Sequence, residues 1–156
     1  METQKSKNKG NWILWWRTDK EDLKKQVVEY NSLKITKSYR GQSALLLIFS
    51  VLITIIFIVL RWATLVNLID ATFFLILAYF IYKGKKWAII SAMILWTFEK
   101  GYSFYDRLQA LPGATTPSPL IALIWWGAYM AVFYKAYQVE KMRTQIQSTK
   151  QSLEKV

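Results

Sequence analysis

Residues 43–60 decide the fold class, because they form one uninterrupted apolar run, SALLLIFSVLITIIFIVL. The run contains no charged residue. A helix of about 20 apolar residues, rising about 1.5 Å per residue, crosses the hydrocarbon core of a bilayer. The run therefore predicts a membrane-spanning helix rather than the amphipathic helix of a soluble domain.

Three further apolar runs follow, at residues 63–82, 87–105 and 120–137. Only Arg61 and Trp62 separate the first two runs, which predicts a very tight hairpin. The third and fourth runs are joined by residues 106–119, which contain Pro and Gly and predict an irregular loop. The sequence thus predicts an all-α polytopic membrane protein, with four transmembrane helices in an up-down bundle over residues 43–138.

The net charge of +11 is concentrated in three segments of the chain. Residues 1–42 carry ten basic and five acidic groups, residues 83–86 carry three basic groups, and residues 135–156 carry five basic and two acidic groups. In a four-span arrangement all three segments lie on one side, and an excess of Lys and Arg marks the cytoplasmic side. We therefore expect an integral protein of the inner or plasma membrane with both termini in the cytoplasm.

The N-terminal segment, residues 1–42, is predicted to be a basic, amphipathic cytoplasmic region. Thr18 and Glu21 have the spacing of a helix-capping box. An apolar stripe follows at Leu23, Val27, Tyr30 and Leu33. The stripe favours an interfacial helix on the anionic inner leaflet, and the alternative is a helix that packs on the protein's own cytoplasmic end. Five tryptophans are expected to anchor the chain at lipid headgroup level: Trp12, Trp15, Trp16, Trp62 and Trp87.

The C-terminal residues 139–156 are predicted to extend the last span as a cytoplasmic helix. Val139, Met142, Ile146 and Leu153 recur at the spacing of a short heptad seam. Such a seam is typical of a helix that pairs with another. Its partner could be a second copy in a homo-oligomer, a different cytoplasmic protein, or the apolar stripe of the N-terminal segment.

Three charges inside the predicted spans are not explained by topology: Asp70, Glu99 and Lys100. In a hairpin centred on the 83–86 turn, Asp70 and Glu99 lie at the same depth, and Lys100 lies one residue away. Asp70 could neutralise Lys100 as a structural pair, or share a site with Glu99 and hold a cation or a proton. The helical spacing adds Asn67 and Tyr102 to this intramembrane polar site. A third possibility is that the third span ends early and leaves Glu99 and Lys100 near the outer headgroups.

The composition also excludes several classes of function. The chain has no Cys and no His, which excludes disulfides, thiolate and imidazole metal sites and His-dependent nucleophilic catalysis. We expect no cofactor and no enzymatic activity. Nucleic-acid binding is disfavoured, because topology accounts for the basic groups. The favoured function is an oligomeric membrane anchor, scaffold or sensor subunit that engages a cytoplasmic partner through its basic helical ends. The alternative is a small ion or proton channel or transporter that uses Asp70 and Glu99.

Overall fold

The computed structural model describes residues 19–62, 64–109 and 119–153, and this part of the chain is all-helical, with no strand. Its five helices are α1 (Lys20–Val28), α2 (Tyr39–Val59), α3 (Asn67–Tyr82), α4 (Lys86–Gln109) and α5 (Pro119–Leu153). The prediction of an all-α fold is therefore confirmed. Trp12, Trp15 and Trp16 lie outside the described residues, as does Thr18 of the predicted capping box.

Two of the helices, α2 and α5, are long and apolar enough to cross a membrane. α2 begins earlier than the predicted run, because the hydroxyl of Ser38 accepts the backbone N–H of Gly41 at 3.1 Å and caps the helix. α5 continues for 35 residues, so the fourth apolar run and residues 139–153 of the predicted tail form a single helix. α3 is apolar but has only 16 residues.

The hairpin between α2 and α3 is longer than the sequence indicated. α3 begins only at Asn67, whereas the second span was expected from residue 63. α2 ends in a Schellman motif: Trp62 N–H donates to Phe57 O at 2.8 Å and Arg61 N–H donates to Ile58 O at 3.0 Å. The rings of Trp62 and Phe57 pack with their centroids 5.8 Å apart. This cap holds Arg61 at a φ of 59°, a left-handed conformation that is unusual for a residue with a side chain.

Helices α2 to α5 close into a four-helix ring. α2 packs against α3 and α5, α4 packs against the same two helices, and each helix runs antiparallel to the next. We call the end that carries the α3–α4 turn the proximal end, and the opposite end the distal end. Large apolar side chains with no exposed surface fill the bundle near the proximal end, among them Leu47, Ile81, Ile89 and Phe133.

α1 packs against the part of α5 that extends beyond the ring. Leu23 and Tyr30 are buried against Val139, and Val27 and Met142 complete this small cluster. The interfacial placement of the N-terminal helix stays a prediction, whereas Leu23, Val27 and Tyr30 of the stripe pack on the protein's own α5, as in the second interpretation. The reason is that α5 continues as a helix and brings its own apolar side chains next to the stripe. The N-cap of α1 also differs from the prediction, because the Asp19 carboxylate accepts Glu21 N–H at 3.1 Å.

Candidate functional sites at the two ends of the bundle

The first candidate site is a buried polar cluster at the proximal end, which we call the proximal clasp: Tyr30, Arg40, Gly84, Glu140 and Arg143. These residues come from the segment after α1, from α2, from the α3–α4 turn and from α5. Glu140 is only 2% exposed. Its carboxylate accepts the hydroxyl of Tyr30, and Arg143 Nη1 lies 3.5 Å from its second oxygen.

The ring of Tyr30 is held between two guanidinium groups. The Arg40 guanidinium carbon lies 3.8 Å from the ring centroid, and that of Arg143 lies 4.0 Å from it. Cation–π contacts of this kind contribute about 0.5–2 kcal/mol each. Arg40 also donates from Nη2 to Tyr30 O at 2.8 Å. The clasp therefore joins the N-terminal segment to α2 and α5 through one aromatic ring.

Gly84 brings the α3–α4 turn into the same cluster. Its φ of +73° is left-handed, and it closes α3 in a Schellman motif in which Lys85 N–H donates to Phe80 O at 3.0 Å. A Cβ atom at this position would lie 2.1 Å from the Tyr30 hydroxyl oxygen. Glycine is thus required both by the backbone conformation and by the close approach of the ring.

Burial sets the protonation of the clasp. Glu140 lies beyond the predicted span 120–137. Burial raises the pKa of its carboxyl group above the usual range. The hydrogen bond from Tyr30 and the charges of Arg143 and Arg40 lower this pKa, but they offset the effect of burial only in part. Burial, and then the hydrogen bond to Glu140, raise the pKa of the Tyr30 phenol. The phenol therefore stays protonated at neutral pH and keeps donating to Glu140.

The second candidate site is a cavity of about 560 Å³ at the distal end, lined by α2, α3, α4 and α5. We call it the distal cavity. Asn67, Glu99, Lys100 and Ser103 supply polar groups on its wall, and aromatic and aliphatic side chains supply most of the remaining surface. Its volume lies within the range of small-molecule and cofactor sites.

An aromatic stack forms one wall of the distal cavity. The rings of Trp96 and Tyr129 are stacked with centroids 4.2 Å apart, and Lys100 Nζ lies 4.3 Å above the Trp96 ring. Trp96 is 4% exposed, and its indole N–H has no hydrogen-bond partner among the described residues. Tyr129 is within hydrogen-bonding distance of Ser50, at 3.0 Å between the oxygens. The described part of the chain thus leaves a buried donor unsatisfied behind the wall of the cavity.

The structure separates the five residues of the predicted intramembrane site. Asn67, Glu99 and Lys100 line the distal cavity, whereas Asp70 and Tyr102 are exposed on the outside of the bundle and do not line it. Lys100 Nζ pairs with Glu99 Oε1 at 2.8 Å. Among the described residues Asp70 forms an ion pair or hydrogen bond with neither, so neither expected pairing of Asp70 is present in the structure. The reason is the rotation of α3 about its axis. Ala71 is buried in the core of the bundle, and the neighbouring Asp70 lies about 100° further around the helix, away from that core.

The remaining predicted residues lie at the edges of the bundle. Trp62 is 76% exposed and Trp87 is 51% exposed. On the predicted seam Val139 is buried and Met142 is half-buried, and both contact α1. Ile146 and Leu153 are exposed. The seam therefore has two parts. Val139 and Met142 are covered by the chain itself. Ile146 and Leu153 remain exposed, and we call them the open seam.

Comparison of the chain with models of protein families, with curated proteins and with solved structures gave no match. The functional interpretation therefore rests on the geometry of the clasp, the cavity and the open part of the seam. Within residues 19–62, 64–109 and 119–153, no group of three or more acidic side chains is placed to hold a metal ion.

Proposed function

We propose that the protein is a non-enzymatic membrane anchor or scaffold that holds a helical docking segment at a fixed angle in the cytoplasm. The observation that carries this proposal is the proximal clasp. It fixes the point at which α5 leaves the bundle, through contacts with α2, the segment after α1 and the α3–α4 turn. Ile146 and Leu153 are exposed beyond that point. A helix that is held firmly where it leaves the bundle, and that exposes apolar side chains beyond this point, is suited to binding a partner.

The outward faces of the bundle support four membrane spans. Large apolar side chains are exposed on all four helices, including Ile56 on α2, Phe73 on α3, Phe98 on α4 and Ile124 on α5, at 54%, 56%, 73% and 70%. Soluble monomers rarely expose continuous apolar surfaces of this extent. In the proposed arrangement α3 and α4 also cross the bilayer. α3 can do so despite its 16 residues because Lys83 and Arg61 can reach the headgroups from its two ends.

The charge distribution supports the proposed orientation. The clasp, the α3–α4 turn and the extension of α5 lie at the proximal end, together with the described parts of the three basic segments, residues 19–42, 83–86 and 135–153, each of which carries more basic than acidic groups. With this end in the cytoplasm, both termini face the anionic inner leaflet. The open seam is then available to a second copy or to a cytoplasmic protein, and we propose that the protein is a homo-oligomer that uses it.

The geometry favours an anchor over the alternative of a channel. Asp70 lies outside the distal cavity, and Glu99 is already paired with Lys100. Between the cavity and the proximal end the bundle is filled by fully buried apolar side chains such as Leu47 and Phe133. A conducting path for ions through one copy would have to cross this packed region.

The test compares two double variants of α5 in the purified, bilayer-reconstituted protein. In Ile146→Glu/Leu153→Glu the charges fall on the open seam, and in the matched control Gln145→Glu/Ser152→Glu they fall on polar positions of the same helix. We expect cross-linking between copies to drop at least tenfold in the seam variant and to stay unchanged in the control. Equal cross-linking in both variants would contradict the use of the seam. Proton or ion flux into liposomes that depends on Asp70 or Glu99, measured with Asp70→Asn and Glu99→Gln, would overturn the anchor function.

A further inference from the structure

We propose that the distal cavity binds one molecule of a zwitterionic phospholipid whose headgroup carries a primary ammonium, as in phosphoethanolamine. This inference rests on the four-span placement proposed above and goes beyond it, because an anchor requires no specific lipid. The proposal follows from the chemistry of the cavity wall and from the depth of the cavity in the bilayer.

The polar wall matches a headgroup that is neutral overall but carries both charges. Lys100 and Glu99 lie side by side, with their charged atoms 2.8 Å apart. Lys100 can donate to a phosphate, and Glu99 can accept hydrogen bonds from an ammonium group. A choline headgroup has no N–H to donate to Glu99, and an anionic glycerol headgroup offers hydroxyl groups to Glu99 but no positive charge. The pair therefore discriminates among phospholipids by the ammonium group.

The depth of the pair fits a lipid headgroup. Lys100 lies 14 residues after the start of α4 at Lys86, or about 21 Å along the helix axis. With the proximal end at the cytoplasmic surface and a hydrocarbon core about 30 Å thick, Lys100 lies within about 10 Å of the outer headgroups. Asn67, at the first turn of α3, lies at a similar height. An outer-leaflet lipid can therefore place its headgroup at this pair and its acyl chain deeper in the bundle.

The deeper wall suits an acyl chain. Phe49 and Phe74 line the cavity and lie 10 and 8 residues from the proximal ends of α2 and α3, nearer to the proximal end than Lys100 in α4, and they offer an apolar surface.

Native mass spectrometry of the purified full chain measures the proposed binding. The probes are dioleoyl phosphatidylethanolamine, phosphatidylcholine and phosphatidylglycerol, each at equal concentration, and free phosphoethanolamine. We expect the ethanolamine lipid to bind at least tenfold more tightly than the other two lipids, and free phosphoethanolamine not to bind. Equal affinity for the three lipids would overturn the proposal, and tight binding of free phosphoethanolamine would assign the site to a soluble ligand.

Three variants keep the test specific. Ala122→Phe places a large side chain in the cavity wall, and Leu123→Phe makes a similar change at the next position, which does not line the cavity. We expect at least a tenfold loss of lipid binding for Ala122→Phe and no change for Leu123→Phe. Glu99→Gln should remove the preference for ethanolamine over choline and increase binding of the glycerol lipid. An unchanged lipid preference in Glu99→Gln would contradict the role of the pair.

These outcomes are independent of the anchor function. Lipid binding is measured on the cavity variants, whereas cross-linking between copies is measured on the seam variants of α5. Loss of lipid specificity with intact seam-dependent cross-linking would refute only the lipid site. Failure of the protein to remain in the bilayer after alkaline extraction would refute both.

Discussion

The substitution Gly84→Ala tests most sharply whether the proximal clasp holds the bundle together. The added methyl group meets two obstacles. The φ of +73° is unfavourable for any residue with a Cβ, at a cost of about 1–2 kcal/mol. The Cβ would also lie 2.1 Å from the Tyr30 hydroxyl oxygen, so the ring must move.

Movement of the ring breaks the hydrogen bond from Tyr30 to Glu140 and leaves a buried carboxylate without that donor. Loss of one partner of a buried polar group costs about 1–3 kcal/mol. The two contributions together predict that Gly84→Ala lowers the free energy of unfolding by about 2–5 kcal/mol.

The measurement is reversible unfolding in detergent micelles, followed by helical circular dichroism. The control is Gly101→Ala in α4, where an added Cβ meets no atom within 4 Å. Because alanine is favoured over glycine within a helix, this control should be about 0.5–1 kcal/mol more stable than the wild type.

A second arm uses Tyr30→Phe, which removes the hydroxyl. After the hydroxyl oxygen, the atoms nearest the added Cβ lie at 3.0 and 3.2 Å. In the Tyr30→Phe background, Gly84→Ala should therefore cost only the backbone strain of about 1–2 kcal/mol. The reasoning is refuted if Gly84→Ala is as stable as Gly101→Ala, or if its cost is the same in the wild-type and Tyr30→Phe backgrounds.

Two further predictions concern Glu140 and Arg61. Burial raises the pKa of Glu140, so the folded protein binds the carboxyl proton more tightly than the unfolded chain does. This proton binding therefore stabilises the folded state fully below the ordinary pKa near 4.5. The stabilisation is lost as the pH rises through the pKa of the folded state. The stability of the wild type relative to Glu140→Gln, measured by unfolding from pH 4 to pH 8, should therefore fall as the pH rises, and a constant difference would contradict the burial of an ionisable group. Arg61→Gly should raise the unfolding free energy by about 1 kcal/mol, because it removes a left-handed residue that has a side chain. Arg61→Ala keeps the strain and should match the wild type, so equal stability of the Gly and Ala variants would show that the turn is not strained.

The apolar runs predicted the helices well because length and hydrophobicity are local properties. The run at 43–60 lies almost wholly within α2, and the heptad spacing after residue 138 correctly indicated that α5 continues as a helix. The turn between α2 and α3 was misjudged, because Leu65 and Val66 are apolar but lie before the helix begins. Composition alone does not distinguish an apolar turn from an apolar helix.

The proximal clasp could not be read from spacing, since Tyr30 and Glu140 are separated by 110 residues. One signal was present: Glu140 is an acidic residue next to Val139 on the seam, within a basic segment. The rotation of α3 about its axis also could not be predicted from the sequence. Equal depth grouped Asp70 with Glu99, and helical spacing added Asn67; Asn67 and Glu99 both line the cavity, but whether Asp70 faces it depends on which side of α3 packs inward.

The most direct test of the central claim, a four-span bundle with its proximal end in the cytoplasm, is labelling of single cysteines. The chain has no natural Cys, so each introduced thiol is unique. The positions are Ser32→Cys, Lys85→Cys and Gln147→Cys at the proximal end and Leu65→Cys at the distal end, all exposed in the structure. A membrane-impermeant maleimide applied to intact cells should label only Leu65→Cys, and the other three should react only after permeabilisation. Labelling of Lys85→Cys together with Leu65→Cys in intact cells, or of Ser32→Cys without Gln147→Cys, would contradict the arrangement.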